Sequence, residues 1–244
     1  MKNLAIVSGA SRGIGRAVAI KLATNGYAVA INYLHDRASA VEVVAEIEAV
    51  GGVAKAIQAD VANETDVIRL FDRSLELGEL KVLVNNAGIL RPQLRLEEMS
   101  LERVKAVFET NVYGVFLMCK QAARVMSDHC GANIVNVSSI ASKTGSANEY
   151  VDYAASKGAV DSLTIGLAKE LASRGIRVNA VRPGMIHTEI HAAGGEPNRV
   201  DRLASKIPLN RGGKVNEVAE SIVWLSSGQA SYCTGALLDV AGGL

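Results

Sequence analysis

The sequence predicts a single α/β domain, residues 1–244, built on a doubly wound parallel sheet of about seven strands with helices on both faces. Short apolar runs alternate with segments that have apolar residues at helical spacing, which is typical of buried parallel strands joined by crossover helices. The predicted strands are residues 4–8, 27–32, 53–59, 81–85, 133–137, 177–181 and 236–240. An eight-stranded barrel also suits the length, but the sequence has seven strand candidates, with a glycine-rich turn directly after the first.

Composition and charge narrow the classes of function. The chain has 49% hydrophobic and 21% charged residues, and its formal net charge of +1 gives no reason to expect nucleic acid or an anionic membrane as partner. No apolar run approaches the roughly 20 residues of a membrane helix, and residues 1–3 lead directly into the first strand, so we expect no signal peptide. Cys119, Cys130 and Cys233 lack metal-site spacing. We therefore expect reduced thiols, no metal and a cytoplasmic protein.

The turn after the first strand predicts an anion site. Gly9, Gly13 and Gly15 lie between an apolar run and a helical segment that starts near Arg16. The unpaired N–H groups and the dipole at a helix start attract phosphate, and glycines let the backbone approach it closely. An ordinary tight turn explains three glycines equally well, so residues elsewhere in the chain must decide.

Later residues predict proton-transfer chemistry. Tyr153 and Lys157 are four positions apart, so both lie on one face of a helix. A nearby ammonium lowers the pKa of a phenol from about 10, which would fit it for acid–base catalysis near neutral pH. Ser139 ends the fifth strand fourteen residues upstream, and the sequence Asn-Asn-Ala-Gly at 85–88 ends the fourth with small residues that leave room for a ribose.

The glycine loop, the Asn-Asn-Ala-Gly motif, Ser139 and the Tyr153–Lys157 pair together resemble the classical short-chain dehydrogenase/reductases, with Ser8 where that family usually has threonine. The resemblance extends over nearly all of the chain. It implies a Rossmann-type fold and an NAD(P)-dependent oxidoreductase that interconverts a small-molecule carbonyl and an alcohol. The cofactor-binding residues that it implies are Gly9, Ser11, Arg12, Gly13, Ile14, Gly15, Asn32, Tyr33, Arg37, Asp60, Val61, Asn86, Ala87, Gly88, Tyr153, Lys157, Pro183, Gly184, Ile186 and Thr188.

The same resemblance implies the catalytic roles. Tyr153 exchanges the proton with the substrate oxygen, Lys157 lowers the pKa of Tyr153 and holds the nicotinamide ribose, and Ser139 donates a hydrogen bond to the substrate oxygen. Asn111 holds a water that links Lys157 to solvent, although it is also consistent with a residue that caps or kinks a helix. Tyr150 lacks a lysine four positions later, so we expect it to face substrate instead.

The end of the second strand favours NADP(H) over NAD(H). An acidic residue there would bind the ribose hydroxyls of NAD, but this chain has neutral Asn32. Arg12 and Arg37 are guanidinium groups suited to a 2′-phosphate. Asp36 opposes this interpretation, and we expect it to cap the next helix instead. Asp60 has two compatible interpretations, adenine binding and a helix cap.

Several segments predict the substrate side and the assembly. Residues 90–96 form one wall of the substrate cleft, in which Arg91 and Arg95 are expected to be solvated, as is His187 further on. Residues 189–210 have the composition of a mobile lid. The helical segment 101–127 has more apolar surface than one sheet contact needs, which predicts a helix partner across a subunit interface, and the resemblance implies a homotetramer or homodimer. Trp224 is expected in the core or an interface.

The substrate is left open by the sequence. The overall pattern is most similar to 3-oxoacyl-carrier-protein reductases and bacterial glucose dehydrogenases, but residues 127–131 lack the basic residues that the former often have there. A sugar, a steroid or a small ketone therefore fits equally well. A nucleotide-binding sensor without turnover is the alternative function, and the complete set of Ser139, Tyr153 and Lys157 argues against it.

Overall fold

The strands form where the apolar runs predict them. In the computed structural model, which describes residues 2–244, seven parallel strands make one sheet. They are β1 (Asn3–Val7), β2 (Ala28–Tyr33), β3 (Val53–Gln58), β4 (Glu79–Asn85), β5 (Asn133–Val137), β6 (Arg177–Pro183) and β7 (Leu237–Val240). Every predicted boundary lies within two residues of the observed one, and the doubly wound α/β class is confirmed.

The order of the strands places the functional cleft. The sheet runs β3-β2-β1-β4-β5-β6-β7, so the chain winds outward from β1 in one direction, returns, and winds in the other. β1 pairs with both β2 and β4 in parallel. The loops that follow β1 and β4 therefore leave the sheet toward opposite faces, and a crevice opens between them at the carboxyl ends of the strands.

Helices cover both faces because the strands are apolar on both faces. On β1, Ala5 and Val7 face one layer of core while Leu4 and Ile6 face the other, as the two-residue period of a strand requires. The first layer contains α1 (Gly13–Thr24), α2 (Arg37–Ala49) and α10 (Val215–Ser226). The second contains α3 (Glu64–Leu75), α5 (Gly114–Val125) and α7 (Val151–Leu171).

The predicted helix at 101–127 is interrupted. It consists of α4 (Leu101–Phe108), a π-helical turn (Glu109–Tyr113) and α5, which ends at Val125. Asn111 lies in the π turn. Its side chain is hydrogen-bonded to the backbone N–H and C=O groups of Ile89 rather than to the helix backbone. π turns inside α-helices occur mostly at functional sites.

Short helices cross the carboxyl ends of the strands. α6 (Ala141–Thr144) precedes α7, and α8 (Ile190–Ala193) and α9 (Arg199–Leu203) lie in the segment between β6 and α10. Among residues 2–244, no helix combines the length and apolar character that crossing a membrane requires.

Candidate active site

A cleft of about 700 Å³ opens at the carboxyl ends of β1, β2, β4, β5 and β6. It extends from the glycine loop to the segment that follows β6, and its volume suits a dinucleotide with a small substrate. Most of the residues that the resemblance implies for the cofactor line it. These are Gly9, Ser11, Arg12, Gly13, Ile14, Asn32, Tyr33, Asp60, Val61, Asn86, Ala87, Gly88, Tyr153, Lys157, Pro183, Gly184, Ile186 and Thr188.

The glycine loop brings backbone donors to this cleft. Helix α1 begins at Gly13, and within the described chain the side chain of its N-cap, Arg12, makes no capping hydrogen bond. Gly9 and Gly13 have φ of +59° and +57°, which favour glycine. A Cβ at Gly15 would collide with the side chain of Asn86 and the carbonyl oxygen of Gly9. Gly15 thus permits close packing of the turn against Asn86 and does not line the cleft. The backbone donors of the loop suit a bound pyrophosphate.

Ser8 fastens the glycine loop to the Asn-Asn-Ala-Gly motif. Its hydroxyl accepts hydrogen bonds from the backbone N–H groups of Asn86 and Ala87, both at 3.0 Å. In return, Asn86 Nδ2 donates to the carbonyl oxygens of Ser8 at 3.0 Å and Gly9 at 2.9 Å. The sequence marks Ser8 only as a departure from the family's threonine, yet its hydroxyl connects two loops that are 78 residues apart.

The nucleotide end of the cleft differs in part from the prediction. Asn32 braces the glycine loop, because its Oδ1 accepts from Gly9 N at 3.3 Å while its Nδ2 donates to the Ala59 carbonyl at 3.0 Å. Asp36 accepts from Ser39 N at 3.0 Å and caps α2, as predicted, and this contact lowers the pKa of its carboxyl. Arg37, the next residue, is not among the described residues that line the cleft.

Asp60 also has a structural partner in the turn that follows β3. Its Oδ1 accepts from Ala62 N at 2.9 Å, but the cap of α3 is Asn63, which accepts from Asp66 N at 3.1 Å. Asp60 is therefore an Asx-turn residue at the cleft wall rather than the cap of that helix.

The proposed proton-transfer residues converge in the cleft. Lys157 Nζ lies 5.6 Å from the centre of the Tyr153 ring and donates to the carbonyl oxygen of Val137 at 2.8 Å. Ser139 lines the same cavity, its hydroxyl accepts from Ala141 N at 3.1 Å, and its proximity to Tyr153 acts to lower the pKa of the phenol. Ser138 donates to the backbone carbonyl of Lys157 at 3.2 Å, which leaves Ser139 as the serine beside the phenol.

Burial sets the pKa values of this pair. It raises the pKa of the Tyr153 phenol to about 12, while the hydrogen bond with Ser139 acts in the opposite direction. Burial lowers the pKa of Lys157 to about 8, against the attraction of the Asp161 carboxylate. In the protein alone, burial therefore dominates the pKa of Tyr153, because a phenolate loses favourable hydration when it is removed from water. That Lys157 lowers the pKa of Tyr153 in the cofactor complex stays a prediction.

Comparisons with known proteins agree with this geometry. A family model described as enoyl-(acyl carrier protein) reductase matches residues 9–244. An oxidoreductase of Escherichia coli (strain K12), named YgfF and described as uncharacterized, is 53% identical over 244 residues, which cover 98% of this chain and 99% of that protein. A 3-oxoacyl-[acyl-carrier-protein] reductase of Synechocystis sp. is 42% identical over 243 residues, covering 99% and 96%.

A solved structure extends the likeness to three dimensions. A short-chain dehydrogenase of Burkholderia cenocepacia J2315 in complex with NADP is 37% identical, superposes with a TM-score of 0.91, and covers 98% of this chain and 96% of its own. This chain is a short-chain dehydrogenase/reductase. As a member of that family it is an oxidoreductase that acts on a carbonyl/alcohol pair.

In this short-chain dehydrogenase/reductase, Asn111 lies behind the cleft rather than in it. The residue is fully buried, its Oδ1 accepts from Ile89 N at 2.8 Å, and its Nδ2 donates to Ile89 O at 3.0 Å and lies 3.2 Å from Ser156 Oγ. Ser156 donates in turn to the carbonyl of Tyr153 at 2.7 Å. The Asn111 side chain thus fixes the wall of the cleft next to α7, and its part in a water relay stays a prediction.

The substrate end is closed by an ion network that the sequence did not reveal. Arg199, which is buried and lines the cleft, pairs with Glu149 and with Glu196, the latter at 2.8 Å. Its guanidinium also lies 5.0 Å from the centre of the Tyr150 ring. The cations of Arg199 and Arg202 hold the pKa of Glu196 down to about 2. Tyr150 is buried and lines the cleft, and its contact with substrate stays a prediction.

The other arginines and histidines near the substrate end differ in whether they line the cleft. Arg91 lines the cleft although it is exposed, whereas exposed Arg95 pairs with Glu97 at 2.8 Å. His187 is exposed, as expected, whereas the histidine that lines the substrate end of the cleft is His191, which sequence analysis did not single out. The composition of residues 189–210 did not indicate that His191 lines the cleft, because a histidine among glycines and alanines is ordinarily expected to be exposed to solvent. Among the described residues, no cluster of histidine, cysteine or acidic side chains has the arrangement of a metal site.

Proposed function

We propose that this oxidoreductase reduces a small-molecule carbonyl compound to an alcohol, with NADPH as the preferred hydride donor and Tyr153 as the proton donor. When bound, the nicotinamide supplies the hydride, which is the chemistry that no side chain can supply. The observation that carries the proposal is the convergence of Ser139, Tyr153 and Lys157 in one cleft beside a glycine loop suited to pyrophosphate.

Each of these residues has a distinct task in the proposal. The Ser139 hydroxyl donates a hydrogen bond to the carbonyl oxygen of the substrate, where negative charge develops as the hydride arrives. Tyr153 transfers its proton to that oxygen. Lys157 holds the nicotinamide ribose and stabilises the phenolate that Tyr153 becomes, and Asn111 continues the proton path toward solvent. The bond from Lys157 to the Val137 carbonyl keeps the ammonium on the side of the cleft where these contacts can form.

The protonated form of Tyr153 is the one that the reduction direction requires. A phenol with a pKa of about 12 is almost wholly protonated at neutral pH, which is the form that gives a proton to a carbonyl oxygen. Oxidation of an alcohol needs the phenolate instead. Bound NADP⁺ would favour that form through its positive ring, so we expect oxidation to be fast only at alkaline pH.

The preference for NADPH is supported by three residues at or after the end of β2 and by Arg12 of the glycine loop. The side chain of neutral Asn32 is hydrogen-bonded to Gly9 of the glycine loop and to Ala59, and the Asp36 carboxylate caps α2. Arg12 and His35 line the cleft close to them, and the Arg12 guanidinium contributes to the lowered pKa of Asp36. A cationic group at this position suits a 2′-phosphate.

The reaction is tested by following NADPH and NADH consumption separately against ketones, acyl thioesters, aldehydes and sugar lactones. We expect turnover with NADPH in the wild type and a loss of about 100-fold or more in Tyr153→Phe, since general acid catalysis contributes that much. Tyr150→Phe is the matched control, and we expect it to retain the proton-transfer step. Turnover by Tyr153→Phe near the wild-type rate would overturn the proposal, and tight NADPH binding without any turnover would favour the nucleotide sensor.

The cofactor preference is tested by two arginine variants of the same helix start. We expect Arg12→Leu to weaken NADPH binding about tenfold and to leave NADH binding nearly unchanged, because only NADPH carries the 2′-phosphate. Arg16→Leu is the control, since Arg16 pairs with Glu46 outside the cleft. Calorimetric titration measures both affinities. Tighter binding of NADH than of NADPH by the wild type would refute the preference.

We also propose that residues 189–210 act as the substrate lid. In this segment Glu196 and Arg199 bridge to two other walls, because Gln93 Nε2 donates to Glu196 at 2.7 Å and Arg199 pairs with Glu149. These contacts hold the segment over the substrate end, and breaking them would open it. Arg199→Leu is expected to raise KM more than it lowers kcat.

A homotetramer or homodimer and a cytoplasmic location complete the proposal. Tyr113 and Phe116, on the segment predicted to form an interface, are 56% and 49% exposed. Light scattering coupled to size-exclusion chromatography tests the assembly, and a monomer at micromolar concentration would refute it. The three unpaired cysteines favour a reducing compartment, which fractionation of the source cells can test.

A further inference from the structure

His191 occupies an unusual position at the substrate end of the cleft. It lies in α8, is 9% exposed, and lines the cavity that also contains Ser139 and Tyr153. Two other residues that line this end of the cleft, Arg199 in the lid and Tyr150 at the N-cap of α7, already have partners. Arg199 pairs with two carboxylates, and the Tyr150 hydroxyl donates to the Gly194 carbonyl at 3.4 Å.

The contacts of the ring define its protonation state. Nε2 lies 2.9 Å from the carbonyl oxygen of Ile186, which can only accept a hydrogen bond, so Nε2 carries a proton. Burial lowers the pKa of His191, with Arg199 and His187 acting in the same direction, and the ring is therefore neutral at physiological pH. In a neutral ring that is protonated on Nε2, Nδ1 is a lone-pair acceptor.

That acceptor is unsatisfied. Within residues 2–244, Nδ1 of His191 is buried and has no hydrogen-bond partner. A buried polar atom without a partner is costly, and in native proteins such an atom usually bonds to ordered water or a ligand. The residue lies on the cavity wall while Nδ1 itself is covered, so a donor from the substrate side reaches Nδ1 when the lid segment moves and then supplies the missing hydrogen bond.

We propose that the substrate of this enzyme carries a hydroxyl group besides its reactive carbonyl, and that Nδ1 of His191 accepts the hydrogen bond from that hydroxyl. The inference rests on the proposed reductase function and names its substrate class, a hydroxyketone or hydroxyaldehyde rather than an unsubstituted ketone or aldehyde. A site built around a buried acceptor discriminates strongly against the analogue that lacks the donor, since the acceptor is then left unpaired.

Matched substrate pairs test the inference. Each pair consists of a carbonyl compound and its hydroxylated analogue, such as acetone with hydroxyacetone or 2-butanone with 3-hydroxy-2-butanone, assayed with NADPH. We expect the wild type to prefer the hydroxylated member of the best pair by about 10- to 100-fold in kcat/KM. In His191→Phe the ring size is kept and the acceptor is lost, so the preference should fall to near unity. His191→Asn returns an acceptor at the position of Nδ1 and should restore part of it.

Two controls separate this role from a purely structural one. Circular dichroism and the NADPH dissociation constant should be unchanged in both variants, and His191→Leu, which also lacks the acceptor, replaces His191→Phe if that protein fails to fold. A preference that is the same in the wild type and in both variants overturns the proposal, as does a wild type that reduces both members of every pair equally well.

A binding measurement keeps the inference separate from the proposed reaction. In the Tyr153→Phe protein with NADPH, nitrogen-15 spectra of the four histidines follow Nδ1 of His191 directly, assigned by its loss in His191→Phe. Addition of the hydroxylated compounds should shift this resonance, while the unsubstituted partners should leave it in place. If none of the hydroxylated compounds shifts it, the proposal fails whether or not the enzyme turns over; if it shifts and no carbonyl compound is reduced, the reductase function fails instead.

Discussion

Removal of the Ser8 hydroxyl should destabilise the protein more than any other single-atom change in the glycine loop. Ser8 is buried, and its Oγ accepts from the N–H groups of Asn86 and Ala87 at 3.0 Å while it donates toward the Val84 carbonyl at 3.4 Å. In Ser8→Ala two backbone donors lose their partner together. Nothing else in the described structure is positioned to replace it.

The magnitude follows from those two donors. An unsatisfied buried donor costs about 1–3 kcal/mol, and both donors here are only partly buried, so the lower half of that range applies to each. We expect Ser8→Ala to lower the free energy of unfolding by about 2–3 kcal/mol. For a chain of this length, that corresponds to a fall in Tm of roughly 4–12 °C. The affinity for NADPH should also fall, because the turn beside the proposed nicotinamide ribose site loses its anchor.

Two variants isolate the hydroxyl. Ser8→Thr keeps the acceptor and should remain within about 1 kcal/mol of the wild type, whereas Ser11→Ala removes a hydroxyl from the same loop that has no hydrogen-bond partner within residues 2–244. Urea unfolding followed by circular dichroism measures all three. A Ser8→Ala protein as stable as Ser11→Ala would show that the two N–H groups find other partners, and the reasoning would be wrong.

Three further predictions concern the space around two glycines, a buried ion pair and a buried lysine. Gly15→Ala should cost about 1–3 kcal/mol in unfolding free energy through its collision with Asn86, whereas Gly166→Ala, in α7 with open space around the new methyl group, should gain up to about 1 kcal/mol; thermal unfolding of both compares them. Arg103→Leu should cost about 3 kcal/mol in chemical unfolding, because it leaves buried Asp152 without the guanidinium that now lies 2.8 Å away; an Arg103→Leu protein as stable as the wild type would mean that water reaches this carboxylate. Lys157→Met should abolish turnover, yet its free energy of unfolding in urea at pH 7 should be about 1–3 kcal/mol higher than that of the wild type. Burial of the charged lysine lowers its pKa from 10.5 to about 8 and so destabilises the wild type, and the loss of the bond to the Val137 carbonyl offsets only part of the stability gained by removing that charge. Between pH 8 and 10.5 the unfolded lysine binds more protons than the folded one, so the wild type gains stability with rising pH and the advantage of Lys157→Met should shrink; an advantage that is constant across this range would contradict the assignment.

The sequence predicted the features that depend on local chemistry. The strands follow from short apolar runs, and each begins and ends where hydrophobic periodicity changes, because a strand buried on both faces admits few polar residues. The glycine loop follows from its three glycines, and the cap of α2 by Asp36 follows from the position of that carboxylate before a helical segment. The spacing of Tyr153 and Lys157 places both on one face of α7, since a helix brings residues four apart together.

Only the tertiary structure decided what these residues contact and how deeply they are buried. The two donors to Ser8 come from a loop 78 positions away, Arg199 meets Glu149 across 50 positions, and the π turn at Asn111 depends on a bond with Ile89. Arg37 follows the cap Asp36 into α2 and away from the cleft, although its position in the sequence suits a phosphate. The pKa of Tyr153 rises because of desolvation, which depends on every element that closes over the phenol. Local patterns carry backbone geometry, but burial, pairing and electrostatics arise from segments that meet only when the chain folds.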